Sequence, residues 1–197
     1  MIILVIVGIV RGRKRGMSEE LLDVLQWLCI VVLCALAYRP LGLYLADYTH
    51  MEVWIAFMTA YFAVAFVIIL IFAGLKRAMG EKLVQADTFG GMEYYLGMIA
   101  GPIRFLSVLL VVLAFINGYY VSEADRARDM KWQMDSFGFR LVPTPGFLQQ
   151  IIFVESASGK FVKKKLSREL IEAVPPGEKP ETIAKRRERA VDEIIGK

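Results

Sequence analysis

The stretch VWIAFMTAYFAVAFVIILIFAGL, residues 53–75, runs for 23 residues without a charge. A hydrocarbon core about 30 Å thick takes roughly 20 helical residues to cross, and lipid offers no partner to a bare backbone, so such a run must close its own hydrogen bonds as a helix. Working outward, residues 105–121 supply 17 more uncharged positions, and residues 21–38 supply 18 in which Asp23 is the one charge. Residues 1–10, MIILVIVGIV, form a further apolar run. As a helix that run is about 15 Å long, half a bilayer. Its positive residues follow the apolar stretch, the reverse of signal-peptide order. It is therefore expected to be a span whose start lies upstream, in preference to a half-helix.

Composition agrees. The 22.2 kDa chain is 56% hydrophobic with mean hydropathy +0.49, above the usual soluble range. The charges are unevenly placed: 27 of the 44 charged residues lie in residues 121–197. The chain thus divides into a membrane domain, 1–120, and a polar C-terminal tail, 121–197. The tail holds 15 basic and 12 acidic residues. That small excess argues against a nucleic-acid surface, although the whole chain has a pI near 9.1. Cys29 and Cys34 share one apolar run. Five helical positions apart they diverge by about 140°, so both are read as small packing residues and not as a bridge.

The expected fold is all-α: a polytopic helical membrane protein of about four spans, near 1–10, 20–38, 53–75 and 94–120, plus a mostly helical tail. Arg11–Gly16 reads as a tight basic turn. Ser18 can cap the next helix, with Glu19 and Glu20 facing the positive end of its dipole. Arg39-Pro40 is expected to stop that helix, leaving 41–52 as a connection. Trp54 at one end of the third span and Lys76-Arg77 at the other fit aromatic and cationic interface anchors. Residues 78–93 read as a polar, glycine-punctuated loop. In the tail, Val142-Pro-Thr-Pro-Gly146 breaks the chain before an apolar stretch. Val162, Leu166, Leu170 and Val174 then form a helical stripe over 161–174, which must pack on the membrane, the rest of the tail or a second subunit. Residues 175–180 read as a stiff linker, and Ile183, Ala190, Val191 and Ile194 line one face of a detached helix or a disordered end.

Orientation follows the cations. Arg11, Arg13, Lys14, Arg15, Lys76, Arg77 and Lys82 lie in two loops on one side, against Arg39 in the opposite loop. Positive-inside bias puts loops 11–16 and 76–93 in the cytoplasm and the tail outside.

One position stands out. Arg104 lies in the last apolar region, where a lone arginine at mid-bilayer costs about 2.5–3.5 kcal/mol on insertion scales. Two readings stay open. Arg104 snorkels to the cytoplasmic headgroups, or it faces a protein interior. The second rests on Gly97 and Gly101, spaced for close helix approach, and on Pro102, which with Gly101 can break the helix and free carbonyls to line a cavity. Glu93 or Asp87 would then be its partner. Asp47, His50 and Glu52 offer cation-binding side chains, but a lone histidine in a short loop is a weak signal, so no metal is expected. No phosphate loop, GxSxG elbow or HExxH motif occurs, and the Lys163–Lys165 run reads as a solvated face or a headgroup contact. No catalytic residue and no cofactor are expected.

These residues resemble the colicin V production protein (CvpA) family. Arg11-Gly12 and Arg15-Gly16 before a glutamate-started span look like its RGxxRG-type turn. Gly90-Gly91-Met-Glu93, then Leu96-Gly97…Gly101-Pro102-Ile-Arg104, resembles its second motif, and Leu148-Gln-Gln150 to Ser156-Ala-Ser-Gly159-Lys160 is similar to the tail of some longer members. Phe105 departs from the pattern, standing where a glycine commonly follows the motif's arginine. The resemblance implies a four-span bacterial inner-membrane protein tied to production or export of colicin V and to envelope functions. It singles out Arg11, Gly12, Arg15, Gly16, Glu93, Gly97, Gly101 and Arg104, to which the residue reading adds Pro102. The expected function is a non-enzymatic transport or export component, its partners being the lipid bilayer and either further copies of itself or other envelope proteins. The alternative is a non-conducting scaffold whose tail recruits envelope or secretion partners.

Overall fold

The computed structural model describes residues 2–85, 89–138 and 144–175. Among these residues the regular structure is entirely helical. The elements are α1 (Ile2–Thr49), α2 (Val53–Gln85), a 3-10 turn (Gly90–Met92), α3 (Glu93–Gly118), α4 (Glu123–Phe137), α5 (Pro145–Gln149), a π turn (Gln150–Glu155) and α6 (Ala157–Lys165). By length and composition α1, α2 and α3 with its 3-10 entry can each cross a membrane. Their outer faces carry the large apolar side chains that lipid would cover, Phe62, Phe66, Leu70 and Ile71 on α2 among them.

α1 is two arms joined at Gly16, whose φ of 78° and ψ of 173° lie outside the helical region. Only glycine takes that conformation without strain. The first arm, 2–15, runs back along α3: Gly16 lies against Glu93, Gly12 against Gly97, and Gly8 against Gly101 and Pro102. The second arm, 17–49, leaves the same point in the same direction, with Ser18 at Glu93 and Glu20 and Asp23 at Arg104. The basic turn expected over 11–16 is thus a helix as far as Arg15, and one residue makes the reversal. A helix persists there because its glycine face packs on α3 while Arg11, Arg13 and Lys14 stay exposed.

α2 runs antiparallel to the second arm and to α3. Tyr38 meets Phe57 edge-on at 5.4 Å, Tyr61 meets Phe115 at 5.2 Å, and Trp54 meets Tyr119 at 5.4 Å. Ile30, Cys34, Tyr38, Phe57, Tyr61 and Ala114 form the buried core. Both cysteines are free thiols, Cys34 fully buried.

Neither proline expected or allowed to interrupt a span does so. Pro40 lies inside α1, which continues to Thr49. The ring removes one backbone bond, but Tyr38 and Gly42 hold the helix against Phe57 on either side of it. The connection expected over 41–52 shrinks to His50–Glu52, His50 turning the chain at φ 56°. Pro102 likewise lies within a continuous α3, so the Gly101-Pro102 break that one of the two readings of Arg104 allowed is absent. α2 extends to Gln85, shortening the loop expected over 78–93; Asp87 lies outside the described residues.

The described tail closes the end of the bundle opposite Gly16. The helix expected over 161–174 stops at Lys165, since Leu166 leaves helical geometry at φ −119° and ψ 30°. The stripe residues nevertheless join the core: Val162, Leu170 and Val174 are buried, Leu166 partly so, and Ile171 fills the space beside Gly118. Tyr38 Oη donates to the Leu170 carbonyl at 3.4 Å and Asn117 Nδ2 to the Ile171 carbonyl at 2.8 Å. Gln149 Nε2 donates to the carbonyls of Ile116 at 2.7 Å and Tyr119 at 2.5 Å, groups at the end of α3 that a helix cannot satisfy itself. Arg39 pairs with Glu172. Thr144 caps α5 and Ser156 caps α6. The residues read as a linker after Pro175 and as a final helix lie outside the described residues.

Candidate functional site at the Gly16 reversal

Glycines spaced by four residues put a bare backbone strip on each of two helices. Gly8, Gly12 and Gly16 form one strip and Gly97 and Gly101 the other. A Cβ built on Gly12 would overlap the Gly97 carbonyl oxygen, and one on Gly101 would overlap the Gly8 carbonyl oxygen. A Cβ on Gly8 would stand 2.7 Å from Pro102 N. The obstructing atoms are backbone, so no side chain can move aside.

The reversal leaves the first N–H groups of the second arm without intrahelical acceptors. Glu93 takes over that of Ser18. Its Oε1 accepts from the Ser18 backbone N–H at 2.7 Å and its Oε2 from the Ser18 hydroxyl at 3.0 Å. Ser18 is therefore capped by a residue 75 positions away, instead of capping its own helix as the local sequence suggests. A carboxylate at this place also faces the positive end of the helix dipole. Glu93 packs against Gly16 so closely that a Cβ there would lie 2.6 Å from Oε1.

Deeper in the bundle, Arg104 donates to Glu20 Oε2 at 2.9 Å and pairs with Asp23 Oδ2 at 2.8 Å. Arg15 lies 3.5 Å from both carboxylates. Lys76 reaches Asp23 Oδ1 at 2.5 Å and Gln26 Oε1 at 2.5 Å. Glu20 is only 1% exposed and Arg104 19%. A carboxylate so buried is tolerable only when paired, and here the two acids of the second arm sit among three cations, one each from the first arm of α1, from α2 and from α3. Of the expected partners of Arg104, Glu93 is committed to Ser18 and Asp87 lies outside the described residues; the carboxylates that meet the guanidinium are Glu20 and Asp23. Arg104 Cζ also stands 5.8 Å from the centre of the Phe105 ring.

The structure brings Gly12, Arg15, Gly16, Glu93, Gly97, Gly101, Pro102 and Arg104 into one contiguous zone, while Arg11 lies exposed on its outer face. Sequence reasoning did not find Gly8, Glu20, Asp23, Gln26 or Lys76 as members. The four-residue glycine spacing, extended back to Gly8, was the available signal for the first. No group of three metal-ligating side chains forms among the described residues, so Asp47, His50 and Glu52 make no such cluster. Glu52 instead accepts from Trp54 Nε1. Chemically the zone is a clamp of opposed charges and backbone contacts, with its donors and acceptors turned on one another.

Apolar helices long enough to span a bilayer, folded back on a buried ion network, define a polytopic helical membrane protein. The chain belongs to the Colicin V production protein family, whose match covers residues 1–142. That span contains the whole glycine seam and ion network; the 148–160 stretch lies beyond it. No curated protein and no solved structure matches the chain.

Proposed function

We propose that the chain is a component of the bacterial inner membrane that serves colicin V or toxin production and export and envelope transport, acting without catalysis or cofactor as a subunit of an oligomer. The observation that carries this reading is the Glu20–Asp23–Arg104–Lys76 network inside membrane-spanning helices. Ionisable groups buried among spanning helices are retained chiefly where they serve substrate or ion passage or a switch. The bundle itself is closed by the glycine seam on one side and by Leu170 and Ile171 at its far end. A pathway would therefore form between subunits, with the network setting how the two arms of α1 meet α3. The cationic end, with Arg11, Arg13, Lys14 and Lys76, would face the cytoplasm by the positive-inside bias, and the tail the outer side.

A second reading, a non-conducting scaffold, is favoured by α4, which exposes Met130, Trp132 and Met134. Efflux of entrapped carboxyfluorescein and potassium from proteoliposomes separates the two. Transport expects efflux above protein-free vesicles that Arg104→Ala abolishes while insertion persists. A scaffold expects no efflux, normal complementation by Arg104→Ala, and loss of function on truncation after Gln133.

A further inference from the structure

The first arm of α1 has cations that its fold does not use. Arg15 is engaged by Glu20 and Asp23, but Arg11, Arg13 and Lys14 make no ion pair among the described residues and are exposed. They occupy the last turn before the Gly16 reversal, where the arm passes from apolar to charged sequence. Two open grooves flank that turn. One, of about 600 Å³, lies between the arm and α3 and is lined by Ile9, Val10, Arg13, Lys14, Tyr94 and Met98. The other, of about 450 Å³, is an open recess on the arm's own surface that adjoins the first at Val10 and Lys14 and is lined by Ile6, Val7, Val10, Arg11, Lys14 and Arg15.

Each groove is basic at one end and apolar along the rest. From Lys14 to Ile6 the arm falls about 12 Å along its axis at 1.5 Å per residue, the sense in which an acyl chain leaves its headgroup. Tyr94, 59% exposed, stands at the charged end, the depth at which amphipathic rings settle. The two grooves share Lys14 and Val10, while each has an uncommitted arginine of its own: Arg13 in the first and Arg11 in the second, Arg15 there being held by Glu20 and Asp23. An ordinary phospholipid would fill one groove and leave the other's cations uncompensated. Free phosphate would leave the apolar walls unused.

We propose that the two grooves form one site for a phospholipid carrying two phosphates, of the cardiolipin class, with a phosphate in each groove, Lys14 between them, and acyl chains along Ile9, Met98, Ile6 and Val7. Basic recesses beside transmembrane helices suit such headgroups. The site rests on the membrane fold alone and stands or falls separately from any transport activity.

The test is native mass spectrometry of the full chain in dodecyl maltoside, titrated with tetraoleoyl cardiolipin, with dioleoyl phosphatidylglycerol at matched phosphate, and with phosphatidylcholine. Cardiolipin is expected to bind in preference to both. The R11Q/R13Q/K14Q variant is expected to lose about a hundredfold in affinity, taking each basic side chain near an anionic headgroup at roughly a factor of five. Val10→Trp keeps every charge, and with it the charge bias that sets topology, yet fills both grooves; it is expected to weaken cardiolipin binding as well. Removing the same number of charges from the tail, in K163Q/K164Q/K165Q, is expected to change nothing. Equal retention of matched phosphatidylglycerol, displacement by inorganic phosphate, unchanged binding in either groove variant, or an equal loss in the tail variant would each overturn the proposal.

Discussion

Replacing Gly12 by alanine adds one methyl group at the point where two helices touch through their backbones. The added Cβ would overlap the Gly97 carbonyl oxygen, stand 2.8 Å from its carbon and 3.2 Å from the Gly101 Cα. Carbon contacts are comfortable at about 3.5–4.0 Å, so the first arm of α1 must lift from α3 by roughly 1 Å. Overpacking of a well-packed contact costs about 1–3 kcal/mol. Lifting the arm also weakens the close Cα–H···O contacts of the seam, about 0.5–1 kcal/mol each. Against this, alanine gains about 0.8–1.0 kcal/mol over glycine in helix propensity. The net expectation is a loss of about 1–3 kcal/mol, or roughly 2–4 °C of melting temperature per kcal/mol for a chain of this size. Gly74→Ala is the control: its Cβ meets nothing within 4 Å, so only the propensity gain remains and the melting temperature should hold or rise. A thiol-reactive dye reports both in detergent on a Cys29→Ala background, because Cys34 is fully buried until the bundle opens whereas Cys29 is partly exposed. A Gly12→Ala protein that melts with the wild type, or a Gly74→Ala protein that falls as far, would refute the reasoning.

Other outcomes follow from the same geometry. Gly16→Ala should destabilise more than Gly12→Ala, since it adds strain at φ 78° to a clash with Glu93, and the same melting assay reads it. Glu93→Gln should be milder than Glu93→Ala, because an amide oxygen still accepts from Ser18 while alanine leaves the arm uncapped at a cost of about 1 kcal/mol. Gln149→Leu should cost about 1–3 kcal/mol by stranding the Ile116 and Tyr119 carbonyls, and limited proteolysis should then cut the tail faster. Equal proteolysis of wild type and variant would show that Gln149 does not fasten the tail.

The spans could be read from sequence because a run such as 53–75 admits one physical solution in lipid. Their ends could not. Pro40 and the Arg11–Arg15 cluster look like stops by local rules, yet packing on Phe57 and on the α3 glycines carries the helix through both. Arg104 was recognisable as anomalous from its depth alone. Its partners were not, since Glu20 has a sufficient local role at a helix start and Asp23 resembles a tolerated single charge. Only the reversal at Gly16 brings them 84 and 81 positions along the chain to the same guanidinium. The tail stripe shows the opposite case. Val162, Leu170 and Val174 do bury and Leu166 partly so, as their spacing suggests, but the bundle end takes Leu170 and Val174 from a chain that has already left the helix.

The folded-back arrangement depends on Arg104 being held by carboxylates from the returning arm of α1. A double-mutant cycle with Glu20→Gln, Arg104→Gln and the pair measures that bond. Breaking a buried ion pair by removing one partner costs about 3–5 kcal/mol, the upper limit here because Arg15 and Lys76 remain nearby. The structure predicts that each single variant is destabilised and that the pair is less so than their sum, with a coupling energy above about 1 kcal/mol. Strictly additive losses would mean that the two side chains do not meet, and would contradict the folded-back arrangement on which the site rests.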